Sequence, residues 1–195
     1  ALFILLYSVT STLLYFQQAS IAQASFPDRA ARTAFFANID LIVNAITLVF
    51  QIFVTGRAIA AAGIVATLCV LPLVSLAGFA ALAATPSVAV IVSAQVARRV
   101  ANFALARPAR EILFTSSARE DRYKAKNFID TVVYRGGDQL ASWGYAGLMG
   151  LCLTLAQIPL IAVPLSALWL GLSIWLGRTH QAQEKHDGAL APSSD

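Results

Sequence analysis

Charged side chains within long apolar stretches are the residues of this sequence best placed to do chemistry. A charge at mid-bilayer costs about 2.5–3.5 kcal/mol on insertion scales, so such residues face a partner, a cavity or a transport pathway rather than lipid. Binding an anion, pairing helices and carrying a proton are the kinds of chemistry open to them. The candidate residues are Asp40, Arg98, Arg99, Asn102, Asp130, Tyr134, Arg135 and Asp138.

Many of these candidates share one side of a single predicted helix. At about 100° per residue, its polar side chains fall within an arc of about 140°, and apolar ones cover the opposite side. We therefore expect this face to look into a polar interior. The glycine pair Gly136-Gly137 predicts either close helix packing or local unwinding beside a ligand. The polar face consists of Asn127, Asp130, Thr131, Tyr134, Arg135 and Asp138.

Arg98 and Arg99 stand on the preceding predicted helix. Two amides, Gln95 and Asn102, share their side within about 100°. The arginines lie about 12 Å from the end of that helix, a depth comparable with the aspartates of the polar face, so we expect ion pairs between the two helices. Three arginines and two aspartates leave one surplus positive charge. An anionic solute would neutralise it, because a guanidinium binds phosphate or carboxylate with two hydrogen bonds.

Two further polar stripes predict cavity-facing or interhelical contacts, and the one that holds Asp40 is more typical of interhelical packing. Structural alternatives also exist for the arginines. The aliphatic part of Arg98 or Arg99 can extend so that its guanidinium reaches the lipid headgroups. The charged pairs suit a structural or gating role as well as contact with a solute. The stripes are Asp40, Asn44, Thr47 and Gln51 on helix two, and Ser8, Ser11, Tyr15 and Gln18 on helix one.

The chain that positions these residues has the composition of a membrane protein. It is 58% hydrophobic and 12% charged, whereas soluble domains carry about 25% charged residues. No Asp, Glu, Lys or Arg occurs in residues 1–27, 58–97 or 139–177. About 20 helical residues cross a bilayer core, so the first stretch fits one crossing and the other two fit two crossings each.

We therefore predict an all-α integral membrane bundle of six transmembrane helices within residues 1–177. Pro72 is expected to kink helix three, and Arg107-Pro108 to end helix four, because proline disfavours helical geometry in the residue before it. A capping-box pattern at Ser117–Glu120 begins helix five, within a basic loop over residues 107–126. Residues 178–195 are expected to form a disordered tail. The predicted helices span about 1–20, 33–55, 58–83, 87–106, 118–155 and 159–176.

The distribution of lysine and arginine predicts the orientation of this bundle. Nine of them lie on the side that holds the Gly56-Arg57 turn, the basic loop and the tail, and two, Arg29 and Arg32, lie opposite. The positive-inside rule places the tail in the cytoplasm. We expect the bundle to lie in the inner membrane. Because Ala1 lies inside an apolar run, we expect a further six-helix half before it, as in the six-plus-six architecture of major-facilitator transporters.

The segment from Arg107 to Asp138 reads RPAREILFTSSAREDRYKAKNFIDTVVYRGGD. It resembles the bacterial and plastidic ATP/ADP antiporters of major-facilitator type, most closely their homologues in free-living bacteria. The resemblance covers about a sixth of the chain and implies the C-terminal half of a twelve-helix transporter that moves nucleotides. The matching elements are Leu113-Phe114, Lys124-Ala125-Lys126, Ile129-Asp130 and Arg135-Gly136-Gly137.

One position departs from that family. Its exchangers have a lysine after the Arg-x-Gly element, and this sequence has Asp138. A carboxylate removed from water takes up a proton readily, so Asp130 and Asp138 are also candidates for proton coupling.

The predicted function is a secondary active transporter for an organic anion, such as a nucleotide in ATP/ADP exchange, with Arg98, Arg99 and Arg135 as the anion-binding groups. The alternatives are a proton-coupled transporter of an unrelated small solute and a non-transporting scaffold or receptor. An enzyme is the weakest reading, because no helix carries a His-x-x-x-His spacing or a Ser–His pair. We expect no cofactor, metal or nucleic acid, since no Cys or His lies near Cys69 or Cys152 in sequence. Membrane lipid, the other half and a small anionic solute are the expected partners.

Overall fold

The computed structural model describes residues 2–115, 129–151 and 157–190, with side chains for 2–112, 131–151 and 157–179. Within these ranges the chain is helical and contains no strand. Five helical stretches are long and apolar enough to cross a membrane, so this is an all-helical, multi-pass membrane protein. The helices are α1 (Leu2–Ser25), α2 (Arg29–Phe53), α3 (Thr55–Ala84), α4 (Val88–Val100), α5 (Arg107–Thr115), α6 (Tyr134–Gly150) and α7 (Gln157–Leu190), with π-helical segments at Ala101–Ala106 and Ile129–Val133.

The loop between α1 and α2 is shorter than the sequence predicts. Helix α1 continues to Ser25 and ends just before Pro27, which disfavours helical geometry in the residue before it. Asp28 then begins α2 as its N-cap, because its carboxylate accepts a hydrogen bond from the amide of Ala31 at 3.1 Å. The predicted boundaries near residues 20 and 33 were therefore wrong by about one helical turn each.

The irregular point of α3 is a glycine rather than the predicted proline. Gly63 has φ +77° and ψ 166°, a conformation that only glycine adopts readily. Pro72 lies inside the helix and is itself buried. The end of α3 is as predicted, since the helix stops at Ala84 before Pro86. Ser87 then caps α4 by accepting a hydrogen bond from the amide of Val90 at 3.3 Å.

Helix α4 does not end before Arg107-Pro108, which corrects the prediction. The helix widens into the π-helical segment Ala101–Ala106, where the amide of Arg107 bonds to the carbonyl of Asn102, five residues back. This extra residue in the turn accommodates Pro108, which has no amide hydrogen to donate. The chain then continues as α5, so residues 88–115 form one rod of three segments.

Side chains from the α2–α3 corner satisfy the carbonyls that the widened turn leaves over. Gln51 Nε2 donates to the carbonyl of Phe103 at 3.2 Å. Thr55 Oγ1 donates to the carbonyl of Ala104 at 2.7 Å, the oxygen that an amide at position 108 would otherwise bond. In a bilayer, unsatisfied backbone groups cost several kcal/mol each. These two bonds therefore allow the helix to continue through Pro108.

The last two helices differ from the predicted ones at their ends. Helix α6 ends at Gly150 rather than near residue 155. Helix α7 continues to Leu190, whereas the sequence predicted disorder from Arg178. The last ten residues of α7, QAQEKHDGAL at 181–190, include several strong helix formers and no proline. The capping box, the Lys124–Lys126 collar, Cys152 and residues 191–195 lie outside the described part of the chain.

Helix α1 forms the centre of the bundle and runs through two apolar clusters. Its first half packs in one cluster beside the buried rings of Phe3 and Trp169, whose centroids are 5.3 Å apart. Its second half packs in the other, where Phe16 stacks on Tyr145 at 4.8 Å. Helices α4, α6 and α7 all contact α1, while α3 and α7 pack extensively against each other.

The outer surface is apolar, as expected where helices meet lipid. Helix α2 exposes a broad apolar side while it packs mainly against α4 and α3. Helices α6 and α7 likewise expose large apolar side chains, tryptophans included. Examples at more than half exposure are Leu41, Leu48, Ile52, Phe53, Leu140, Trp143, Leu160, Leu168 and Trp175.

Replacing Thr55 with valine tests the hydroxyl that supports the π-helical segment. The change keeps the shape of the side chain but removes the donor to Ala104, so we expect a loss of about 1–3 kcal/mol for a buried carbonyl left without its partner. Thermal unfolding of the purified protein in detergent measures the loss. Thr55→Ser keeps the hydroxyl and is the matched control. If serine lowers the midpoint as much as valine, packing of the methyl group rather than the hydrogen bond supports the segment.

Candidate functional site

The guanidinium of Arg98 is buried at the junction of three helices. Its side chain is 2% exposed, and it donates to Ser75 Oγ of α3 at 3.1 Å. It also donates to three oxygens of α1, namely Ser11 Oγ at 3.1 Å, the Tyr7 carbonyl at 3.1 Å and Thr10 Oγ1 at 3.3 Å. Arg98 thus fastens α4 to both α1 and α3.

Two of these hydroxyls are turned so that their oxygens can accept from a cation. Thr10 Oγ1 gives its own hydrogen to the carbonyl of Leu6 at 2.7 Å, or to that of Tyr7 at 3.1 Å. Ser75 Oγ gives its hydrogen to the carbonyl of Leu71 at 2.9 Å. Because each hydroxyl hydrogen is bonded to a carbonyl of its own helix, the lone pairs of the hydroxyl oxygen remain available to the guanidinium.

The positive charge of Arg98 is solvated by neutral groups. Its guanidinium carbon lies 5.1 Å from the centroid of the Tyr7 ring, a cation–π distance. Arg99 pairs with Asp40, and no described carboxylate contacts Arg98. The expected ion pairing between α4 and Asp138 is not formed: Arg99 pairs with Asp40 instead, and α1 packs against both α4 and α6. Nor is Arg98 presented to a solute directly, given its burial.

Arg99 points to the other side of α4 and pairs with Asp40 of α2. The two side chains are 33% and 58% exposed, so the pair lies at the surface of this chain. Of the other residues in the Asp40 stripe, Thr47 is buried and Gln51 donates to the Phe103 carbonyl of the π-helical segment. Asp40 and Gln51 thus make interhelical contacts, whereas Asn44 is exposed.

Asp138 of α6 accepts hydrogen bonds from two hydroxyls of α1. The donors are Ser8 Oγ and Thr12 Oγ1, the latter at 3.0 Å. The adjacent Gly137 makes this possible, because a Cβ at that position would lie only 2.8 Å from Cβ of Ser8. Gly136 meets nothing within 4 Å, and both glycines are helical. Of the two expectations for this pair, close packing is the one observed.

A tyrosine that sequence reasoning did not single out lies at the centre of the remaining contacts. Asn102 Nδ2 donates to the hydroxyl of Tyr7 at 2.9 Å, and Arg110 lies 5.9 Å from the Tyr7 ring. Arg110 also donates to the hydroxyl of Tyr134 at 3.1 Å, whose ring meets Tyr7 edge-on at 6.0 Å. The position of Tyr7 one turn before Ser11 was the available signal. The sequence places Arg110 in the predicted basic loop, and for that reason does not indicate its contact with Tyr7.

The remaining candidates are Arg135 and Asp130. Arg135 is exposed on α6. Asp130 lies in the π-helical segment Ile129–Val133, and its side chain is outside the described residues. The candidate site residues are therefore divided among α2, α4, α6 and the two π-helical segments, and α1 contacts both α4 and α6.

We define the polar seam as Ser11, Thr12 and Tyr15 of α1 with Asp138 of α6. Tyr15 is 56% exposed in a helix that is otherwise largely buried, and Ser11 and Thr12 are half-buried beside it. Thr12 bonds to Asp138 on one side, and Ser11 bonds to Arg98 on the other. The seam is a strip of hydroxyls on a membrane-spanning helix, with a negative group at one edge and a positive group beneath the other.

Comparisons of the chain with protein-family models, with curated proteins and with solved structures found no match. No group of three or more His, Cys, Asp or Glu in the described ranges could hold a metal ion. The geometry of the chain itself is therefore the basis for any functional proposal.

Exchanging each arginine for lysine tests the different roles of Arg98 and Arg99. The single nitrogen of lysine cannot reach all the oxygens around Arg98, so Arg98→Lys should lose at least one charge-assisted bond, about 2 kcal/mol. Arg99→Lys keeps an exposed charge pair of about 0–1 kcal/mol. At roughly 2–4 °C per kcal/mol, thermal unfolding in detergent should show a clearly larger fall for Arg98→Lys. Equal falls would contradict the assignment of Arg98 as the anchor.

Proposed function

We propose that this chain is the C-terminal half of a secondary active transporter that moves an organic anion by alternating access. The observation that carries the proposal is the polar seam. Hydroxyls and a carboxylate on membrane-spanning helices are costly against lipid. A water-filled cavity between this half and a second half of similar size would solvate them, as in major-facilitator transporters.

The arrangement of the helices is consistent with such a cavity. Helices α1, α2, α4 and α6 carry the polar seam and the charged groups Asp40, Arg99, Arg135 and Asp138, whereas α3 and α7 pack against each other. In this proposal the exposed Arg99–Asp40 pair, Arg135 and Asp138 are assigned to the cavity side. Four helices would then line the pathway, and the other two would support them from the lipid side.

The charge of Arg98 supports an anion as the solute. No described carboxylate neutralises it, and a charge in a low-dielectric interior acts over a longer range than one in water. The resemblance of residues 107–138 to nucleotide exchangers makes a nucleotide the first anion to test. In this proposal Arg99 and Arg135 are the cations exposed to the solute.

Counterflow by the full-length protein in liposomes tests anion exchange. Vesicles preloaded with unlabelled ADP should transiently accumulate labelled ADP severalfold above protein-free vesicles, because outward movement of one anion drives inward movement of the other. Vesicles preloaded with adenosine, which lacks the phosphates, are the control. Phosphate and dicarboxylates should be tested in the same way. A protein that exchanges none of these anions would contradict the proposal and favour the scaffold alternative.

A proton-coupled transporter of a different small solute is the second candidate, and Asp138 is the observation that favours it. Its carboxylate lies at the exposed edge of the seam and accepts from two hydroxyls. A carboxylate so placed would face the proposed cavity, from which a coupled proton would arrive.

Asp138→Asn tests proton coupling with little change in shape. The amide oxygen can still accept from Ser8 and Thr12, but the side chain no longer binds a proton. Uptake driven by a pH gradient should therefore be lost, by about tenfold or more, while exchange at equal pH continues. Initial uptake rates with and without the gradient measure this. Gradient-driven uptake that survives the change would remove Asp138 from the coupling mechanism.

A further inference from the structure

Three hydroxyl or carbonyl groups of α1 and one hydroxyl of α3 surround Arg98, and one of them differs from the rest. Thr10 and Ser75 give their hydroxyl hydrogens to carbonyls of their own helices. Ser11 accepts from Arg98 at 3.1 Å and, within the described part of the chain, makes no other side-chain hydrogen bond. Thr10 and Ser75 are buried, whereas Ser11 is half-buried in the polar seam. Its hydrogen is therefore free to point outward from the guanidinium.

We propose that Ser11 is an anion subsite of the transport pathway. Its oxygen accepts from the buried guanidinium of Arg98, and its hydrogen is donated to an oxyanion of the solute. This inference rests on the proposed function, since it assumes that the seam meets the solute. Arg98 is then a positioning residue that acts through Ser11, because a hydroxyl that accepts from a cation becomes a stronger donor.

The neighbouring residue, Thr12, should disfavour an anion. Thr12 is half-buried like Ser11, but its hydroxyl donates to Asp138 at 3.0 Å. Positions 11 and 12 are about 100° apart around α1, one turned toward a cation and the other toward a carboxylate. The subsite for an anionic oxygen would then lie beside the hydroxyl that bonds to Asp138, the candidate proton carrier. Transport of an anion together with a proton would bring no net charge into the seam.

Cysteine labelling tests the subsite without relying on transport. Ser11→Cys and Thr12→Cys are made separately in the full-length protein, with its native cysteines, Cys69 and Cys152 included, replaced by alanine. Each variant, in liposomes, is treated with a negatively charged sulfonatoethyl and a positively charged trimethylammonioethyl methanethiosulfonate. The ratio of the two labelling rates is compared between the positions, because the ratio cancels the intrinsic reactivity of each thiol.

The expected result is a ratio of anionic to cationic labelling about tenfold or more higher at position 11 than at position 12, since local fields change encounter rates by such factors. Equal ratios would overturn the subsite and leave the water-filled seam, and with it the proposed function, standing. Labelling at position 12 alone would also overturn it. If neither position is labelled, the seam is not wetted, and both the subsite and the proposed function fail.

Uptake kinetics provide the second measurement once a transported anion is identified by counterflow. Ser11→Ala removes the donor and should raise KM by about tenfold, the value of one hydrogen bond to a charged group. Ser11→Thr keeps the hydroxyl and should restore KM to near that of the unaltered protein. A merely structural Ser11 would lower the amount of folded protein without changing KM. An unchanged KM in Ser11→Ala would therefore overturn the subsite.

Discussion

A positive charge held inside a membrane-spanning bundle has to be solvated by the protein, and Arg98 shows how this chain does so. Neutral oxygens from two other helices surround its guanidinium, and the ring of Tyr7 covers it. These partners sit at fixed places on α1 and α3, so α4 cannot rotate or slide without breaking several bonds at once. The solvation of this one charge thus constrains how the three helices pack. Ser11 is the partner of Arg98 that belongs to the polar seam.

The second constraint is the peptide backbone, which has no water to bond with in a bilayer. Pro108 would ordinarily end the helix before it, and the π-helical segment avoids that by widening the turn. The two carbonyls left over are bonded by Gln51 and Thr55, which lie at the end of α2 and the start of α3. The corner between α2 and α3 is thus positioned by a proline on another helix.

Sequence periodicity predicted which side of a helix is polar but not which neighbour that side meets. The helical membrane fold and the turn at Thr85-Pro86-Ser87 followed from composition and local rules, and the structure confirms both. Expecting ion pairs between the helix of Arg98 and Arg99 and the helix of Asp138 assumed that helices adjacent in sequence are adjacent in space. In the structure α1 lies between them, and Asp138 bonds to Ser8 instead. Contacts between distant parts of a chain depend on which helices are neighbours in the bundle, and no local sequence pattern indicates this.

Contacts between distant residues also explain why the sequence predicted the end of helix four wrongly. The rule that proline disfavours helical geometry in the preceding residue is sound for an isolated helix. Its failure here depends on side chains about 50 residues away in sequence, Gln51 and Thr55, which no local pattern around Arg107-Pro108 could indicate.

The break at Gly63 lies between the two points at which α3 holds the rod of residues 88–115. Thr55 bonds to Ala104 on one side of the break, and Ser75 bonds to Arg98 on the other. A straight α3 would set the separation of these anchors by the fixed rise of a helix. With a glycine between them, the backbone torsions of Gly63 also set it. The support of the π-helical turn and the support of the buried cation therefore come from two segments of α3 that meet at Gly63, rather than from one straight helix.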